Sequence, residues 1–266
     1  MSTLLDIISA LTTSEPAEKC PVLGVDIKSA TDVYSALVTV NVIDDGDLAI
    51  VVDGAQQRLL VLKGSNAVVK EILCSTATGG FGNTTVVKAH GTTSTGLLKI
   101  GQIVGVGQPT GMEFKKLAAT GVIHKPVESR NHAVMTTRIL TLKGQQPENE
   151  SAIYRGIYIH GTNKEQQLGN KASGGCVRVS NADVLWLAEN IPAATPVYIL
   201  GDPITTNPAF PSSDDCSSIK TERLLRETIR ALLVTEGLLD DITSGAVLVG
   251  NIAGKRHDAL KRHTNY

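Results

Sequence analysis

The sequence predicts a mainly β chain, and three observations predict it. Short runs of Val, Ile and Leu recur between clusters of Gly, Asn and Asp, the pattern of strands joined by tight turns. Hydrophobic residues make up 42% of the 266 residues but aromatics only 3%, so the core is aliphatic, as suits β-branched side chains on pleated surfaces. A single strong helix start, Ser180-Asn181-Ala182-Asp183, follows a glycine-rich loop. The expected architecture is a mixed or antiparallel sandwich with one short helix after that loop.

Taken in order, residues 1–11 read as a short amphipathic helix, and 37–43 as a strand-like run ended by Asp44-Asp45-Gly46-Asp47. Runs at 48–53, 58–62 and 68–73, separated by Gly54-Ala55-Gln56-Gln57 and Lys63-Gly64-Ser65-Asn66, predict an antiparallel meander. Gly79–Asn83 is a loop, strands are expected at 85–89 and 97–104, and 112–120 reads as a short helix or an irregular loop. Strands follow at 133–142 and 152–160. In the latter, Tyr154, Gly156, Tyr158 and His160 share one face, with His160 at the strand's end. The Ser180 helix carries Trp186 as a core residue and stops near Pro192, and 195–200 is a last strand. Pro203, Pro208 and Pro211 mark a linker, and 221–239 has helical apolar spacing. The basic end, Lys255 to His263, reads as a solvated tail or a second packed helix. The division is therefore 1–45, an N-terminal extension; 46–201, a β domain; and 202–266, a Pro-containing linker with a C-terminal helical extension.

Composition excludes several functions. A net charge of −1 gives no electrostatic footprint for nucleic acid or a membrane surface, and scarce aromatics leave few base-stacking platforms. No apolar run reaches the ~18 residues of a membrane span. The first basic residue is Lys19 and Asp6 interrupts the early apolar stretch, a poor secretory leader. A cytoplasmic location is expected, the alternative being the periplasm after non-classical export. Cys20, Cys74, Cys176 and Cys216 form no disulfide framework and no zinc-ligand spacing, so neither a metal nor another cofactor is expected. Oligomeric state is not legible in the sequence.

The chemistry concentrates at His160-Gly161-Thr162 and Ser173-Gly174-Gly175-Cys176-Val177-Arg178, with 176 − 160 = 16 positions between histidine and cysteine. A thiol attacks as a thiolate, and a free cysteine of pKa ~8.5 needs help at neutral pH. An imidazole within reach can take the proton, and small neighbours leave backbone N–H groups to hold an oxyanion. The N-terminus of the Ser180 helix also favours a thiolate at Cys176. Arg178 suits either a substrate carboxylate or support of the loop. Tyr158 is either a pocket residue or a packed strand tyrosine. His90-Gly91-Thr92 also lies 90 − 74 = 16 positions from a cysteine, Cys74, but in reversed order, and His90 reads as a strand-end or pocket residue. His124 and His132 read as surface or loop histidines.

This block resembles the L,D-transpeptidase catalytic domain of bacterial peptidoglycan enzymes, whose signature joins His-Gly-Thr to Ser-His-Gly-Cys-(Ile/Val)-Arg. Thr93-Ser94-Thr95-Gly96-Leu97-Leu98-Lys99-Ile100 is similar to the family's Thr-Pro-x-Gly-x-(Phe/Tyr)-x-Ile, and Ser75-Thr76-Ala77-Thr78-Gly79 to the strand end before it. The chain departs from the pattern at Gly174, where the family has a second histidine, and at Ser94, where it has proline. The resemblance implies an L,D-transpeptidase-like β-sandwich over about residues 46–201. It also implies a cysteine acyltransferase acting on the diaminopimelate–D-alanine bond of tetrapeptide stems or muropeptides. Cys176 would be the nucleophile and His160 the base and then the acid. Gly175 and Cys176 would supply the oxyanion donors, with Gly161 orienting the histidine. Ser173, Thr162, Tyr158 and Arg178 would contact substrate. The acyl group would pass to an amine, or to water as in an L,D-carboxypeptidase. Two other functions fit the same residues: an exported wall-damaging toxin of this chemistry, and a non-catalytic peptidoglycan-binding module.

Overall fold

In the computed structural model, residues 29–202 are described except 41, 65–66, 84–90 and 130–131. The expected helix at 1–11, the strand at 85–89, His90, the proline linker and everything from 203 onward lie outside the described residues. The first element is a helix, α1 (Ala30–Thr39), set by a reciprocal capping box. Ser29 Oγ accepts from the Asp32 N–H at 3.2 Å, and the Asp32 carboxylate accepts from the Ser29 N–H at 2.8 Å. The β-branched run expected as a strand at 37–43 is thus overturned, because its first residues complete this helix. Val33, Tyr34 and Leu37 are buried at helical spacing, and α1 packs on the first strand. The Tyr34 hydroxyl donates to the Asp47 carbonyl at 2.9 Å and accepts from the Gly46 and Gly64 N–H groups at 3.3 and 2.8 Å.

Strands β1 (Leu48–Asp53), β2 (Arg58–Lys63) and β3 (Ala67–Leu73) form the antiparallel meander that the turn clusters predict. β4 (Gly96–Val104) and β7 (Met135–Gly144) also lie where expected. Residues 112–120, read as helix or loop, instead contribute to a hairpin of β5 (Met112–Lys115) and β6 (Ala118–Ile123). Its two-residue turn places Lys116 and Leu117 at φ +50° and +65°, a conformation usually signalled by Asn or Gly, and neither residue announces it. The strand expected at 152–160 is mostly something else. Pro147–Ala152 is a 3-10 helix, a turn follows with Gly156 at φ +70°, and β8 (Tyr158–Thr162) begins later and runs past His160. Then come β9 (Val177–Val179), α2 (Asn181–Asn190) and β10 (Pro196–Leu200). Ser180 caps α2, accepting from the Asp183 N–H at 3.0 Å.

The ten strands make one continuous sheet in the order β3-β2-β1-β10-β4-β7-β5-β6, with β8 on the other edge of β7 and β9 beyond it. β1–β10 and β8–β9 are parallel pairs in an otherwise antiparallel sheet. An isolated bridge between Ser75, just past β3, and Arg178 in β9 joins the far ends of the path. The halves therefore face each other across one aliphatic core, as in a sandwich. Ile50, Val61 and Ile199 contribute from one side, and Leu140, Ile159, Val177, Val179, Val184 and Leu187 from the other. Trp186 is partly buried against that core, with the Lys70 ammonium 5.1 Å from its ring. Among the described residues no helix is long and apolar enough to cross a membrane.

Candidate active site

The β8–β9 pair decides which side chains meet. Its register sets Ile159 beside Val177 and His160 beside Arg178. In a parallel pair, partnered residues share a face and every second residue returns to it. Ile159, Val177 and Val179 point into the core. Tyr158, His160, Cys176 and Arg178 therefore fall together on the opposite face. Cys176 stands diagonal to His160, a spacing of roughly 7 Å between such strand neighbours that thiol and imidazole can bridge. Ile139 of β7 is the antiparallel partner of His160, and with Met112 and Phe114 it forms an apolar cluster that Tyr158 joins. The β5–β6 hairpin thus gives the site one greasy wall.

Burial dominates the titration of the central pair. His160 is 4% exposed, and desolvation, aided by the Arg178 charge, holds it down to about 4 despite the bond of its Nδ1 to the Gly161 carbonyl at 2.7 Å. A neutral ring bonding a carbonyl through Nδ1 carries its proton there. Nε2 makes no hydrogen bond and is the basic nitrogen. Burial pushes the Cys176 thiol up, while the Tyr158 backbone N–H and the Arg178 charge pull it down. The thiol donates to the Gly156 carbonyl at 3.1 Å, so the resting pair is a neutral thiol beside a neutral imidazole. A depressed histidine destabilises the fold wherever the unfolded chain binds the extra proton, which here is the window from 6.5 down to about 4. Stability should therefore fall as pH drops through that window, by roughly 2–3 kcal/mol from this group. Urea denaturation of the wild type and His160→Gln at pH 7 and pH 4.5 checks this, because the variant should lose that much less.

The loop carrying Cys176 is held from both sides. Ser75 and Arg178 exchange backbone hydrogen bonds at 2.9 Å each, the Ser173 N–H donates to Thr76 O at 2.8 Å, and the Gly91 N–H donates to Gly174 O at 3.0 Å. Thr93 Oγ1 donates to Gly175 O at 2.9 Å. The upstream segments singled out in the sequence are thus the buttresses of this loop. Gly175 has φ +151°, and a Cβ there would lie 3.1 Å from Ile157 Cδ1, so glycine is required. Gly174 faces open space, where a side chain would meet nothing within 4 Å.

Several of the expected site residues already bond within the protein. The Gly175 N–H, expected to be open to an oxyanion, donates to Ser173 Oγ at 3.1 Å. Ser173 is 3% exposed and its hydroxyl donates to Cys176 O at 2.6 Å, so it braces the loop from within. Thr162 is fully buried, and its Oγ1 accepts from the Lys164 N–H at 3.1 Å. Arg178 is half-buried, with its Nη1 on Gln167 Oε1 at 3.2 Å. Gly161 lies inside the strand: a Cβ there would sit 2.7 Å from Thr136 O and 2.8 Å from Asn181 Oδ1.

Asn181, which no motif marks, fixes this geometry. Its Oδ1 accepts from Thr136 Oγ1 at 2.6 Å and from Thr137 Oγ1, and its Nδ2 donates to Thr162 O at 2.9 Å and Glu165 Oε1 at 2.8 Å. Thr137, at φ +69°, lies in a bulge where two β7 residues find no partner between those opposite His160 and Gly161. Gly156 was also hidden, because Arg155-Gly156 lay in a presumed strand.

His124, read as a surface or loop histidine, lies in the loop after β6 but is buried. Its Nδ1 meets Glu128 Oε2 at 2.9 Å and its Nε2 meets Glu113 Oε2 at 2.7 Å, which requires protons on both nitrogens when both carboxylates are ionised. Desolvation opposes the charge, but the two carboxylates outweigh it and raise the histidine, while His124 and the Lys125 N–H hold Glu128 down to about 2. A raised histidine stabilises the fold fully below 6.5 and loses that effect as pH rises through its folded value. The wild-type melting temperature should accordingly fall between neutral and alkaline pH, and His124→Gln should flatten that slope. Equal slopes would contradict the brace. Among the described residues no group of His, Cys, Asp and Glu gathers as a metal site.

The family model of the L,D-transpeptidase catalytic domain matches residues 47–199. The probable L,D-transpeptidase ErfK/SrfK of Escherichia coli is 31% identical over 122 residues, covering 40% of this chain and 39% of that protein. The probable L,D-transpeptidase YbiS of the same species is 38% identical over 69 residues, covering 23% and 22%. The chain thus spans well under half the length of these relatives. A crystal structure of an L,D-transpeptidase from Xylanimonas cellulosilytica aligns over 74% of this chain and 70% of its own, with 19% identity and a TM-score of 0.38.

Proposed function

Because the chain belongs to the L,D-transpeptidase catalytic-domain family, we propose that it is a cysteine acyltransferase acting on peptidoglycan tetrapeptide stems at the diaminopimelate–D-alanine bond. The observation that carries this reading is the shared face of β8 and β9, which gathers Tyr158, His160, Cys176 and Arg178. The Cys176 sulfur attacks the carbonyl carbon as its proton leaves Gly156 O for His160 Nε2. A tetrahedral oxyanion forms, for which the Cys176 N–H is a donor on the nucleophile's own residue. The carbon–nitrogen bond then breaks, His160 returns the proton to the departing D-alanine amine, and a thioester remains. An amine or water resolves the thioester, giving a crosslink or a shortened stem.

Burial makes His160 a weak base but leaves it free of the extra proton at neutral pH. The ring is unprotonated and ready at neutral pH, and the imidazolium formed in passing is steadied through Nδ1–H by the Gly161 carbonyl. Arg178 lies beside both groups and favours the developing thiolate. The test is incubation with a disaccharide tetrapeptide while following D-alanine release by mass, with carbapenem labelling of Cys176 in parallel. No release and no adduct would refute the reading.

A further inference from the structure

Arg155, in the turn just before β8, has a buried guanidinium with no acid beside it among the described residues. It is 9% exposed, and its four hydrogen bonds all go to neutral oxygens. Nη1 donates to Ser94 Oγ at 2.8 Å and Gly82 O at 3.4 Å, and Nη2 donates to Thr92 O at 2.7 Å and Thr92 Oγ1 at 2.9 Å. Nε is buried without a partner. A buried cation without a counter-charge is costly, and it persists where its geometry is needed.

That geometry closes a ring around the nucleophile. The next residue, Gly156, offers the carbonyl that receives the Cys176 thiol proton. The strip gripped by the guanidinium is the one that holds the two residues before Cys176. The Gly91 N–H binds Gly174 O, and Thr93 Oγ1 binds Gly175 O. Only the planar fork of an arginine reaches Thr92 and Ser94 together from one side chain; an ammonium is a point. We infer that Arg155 is a positioning residue for Cys176, fixing the gap between the nucleophile loop and the Gly156 turn. This rests on the acyl-transfer reading of Cys176 given above.

The test compares wild type, Arg155→Lys and Arg155→Met. Two readouts are used: turnover of the tetrapeptide, and the pH profile of Cys176 alkylation by iodoacetamide, followed by mass. Arg155→Met should lower kcat by about 10- to 100-fold with KM unchanged, the cost of a slightly misplaced nucleophile. Its alkylation midpoint should move to higher pH, since a displaced thiol loses the Tyr158 N–H and the Arg178 charge that pull it down. Arg155→Lys should lie between wild type and Arg155→Met in both readouts. An Arg155→Met variant with wild-type kcat and midpoint, or with a change in KM alone, overturns the inference. If wild type fails to turn over the tetrapeptide, the acyl-transfer reading falls, and the alkylation midpoint still decides the role of Arg155. Should Arg155→Met fail to fold, Ser94→Ala, which removes one partner of Nη1, is expected to lower kcat in the same direction, and wild-type behaviour there counts against the inference.

Discussion

Cys176→Ala is expected to abolish acyl transfer while leaving the fold intact. The sulfur donates to Gly156 O and lies on the face turned away from the aliphatic core, so its loss opens no large cavity. Its only substitute as nucleophile would be water, and removing the nucleophile of such a pair commonly costs at least about 10³-fold in kcat. Cys176→Ser should be nearly as inactive, because a hydroxyl is far harder to deprotonate than a thiol and His160, at about 4, is a weak base. The checks are D-alanine release, thioester formation with a carbapenem, and thermal unfolding. Unchanged melting with lost turnover is the predicted pair of results. Retained turnover in Cys176→Ala would remove the cysteine from the reaction.

Much of this arrangement was legible because it is local. The Ser180 cap, the Val-rich strands and the turn clusters between β1, β2 and β3 each write their geometry into a few adjacent residues, and the structure follows them. The His-Gly-Thr and Gly-Gly-Cys-Val-Arg segments were legible for a related reason, since Gly161 and Gly175 stand where a Cβ would crowd its neighbours. What stayed hidden depends on distant partners. Leu37 lies in a β-branched run, and only the Ser29–Asp32 box and burial against β1 make its segment a helix. Lys116 and Leu117 take up a turn that their side chains disfavour, because pairing of β5 with β7 and β6 fixes the hairpin. Thr162 and Ser173 were assigned to substrate from their place in the motif. Burial is set by what packs over a strand, here Asn181 and the 75–78 segment, which no spacing within the motif reveals.

Replacing Asn181 with alanine is expected to be among the most damaging single changes outside the Cys176 loop. The side chain lies 3% exposed at the first position of α2 and joins β7, β8 and the 3-10 turn at Glu165–Gln167. Its removal takes the acceptor from the Thr136 and Thr137 hydroxyls, although Thr137 Oγ1 still accepts from the Gly111 N–H at 2.9 Å, and takes a donor from the Thr162 carbonyl and from Glu165, whose bond to the Asn181 backbone N–H at 2.7 Å survives. Each buried polar group left without a partner costs about 1–3 kcal/mol, and relaxation recovers some of it, so a net loss of about 3 kcal/mol is expected. That is a large part of the stability of an ordinary domain. Activity should fall further than the unfolded fraction accounts for. The bulge at Thr137 lies opposite the step from His160 to Gly161, and without Asn181 nothing else bonds both threonine hydroxyls to α2. Asn181→Asp keeps the acceptor and loses the donor beside Glu165, so it should also destabilise, more at neutral pH than at pH 4. Chemical denaturation of both variants, with turnover measured at a temperature where each remains folded, separates the two effects. An Asn181→Ala protein as stable as wild type would mean that the threonines find other acceptors, and that the bulge is held by β7 and β8 alone.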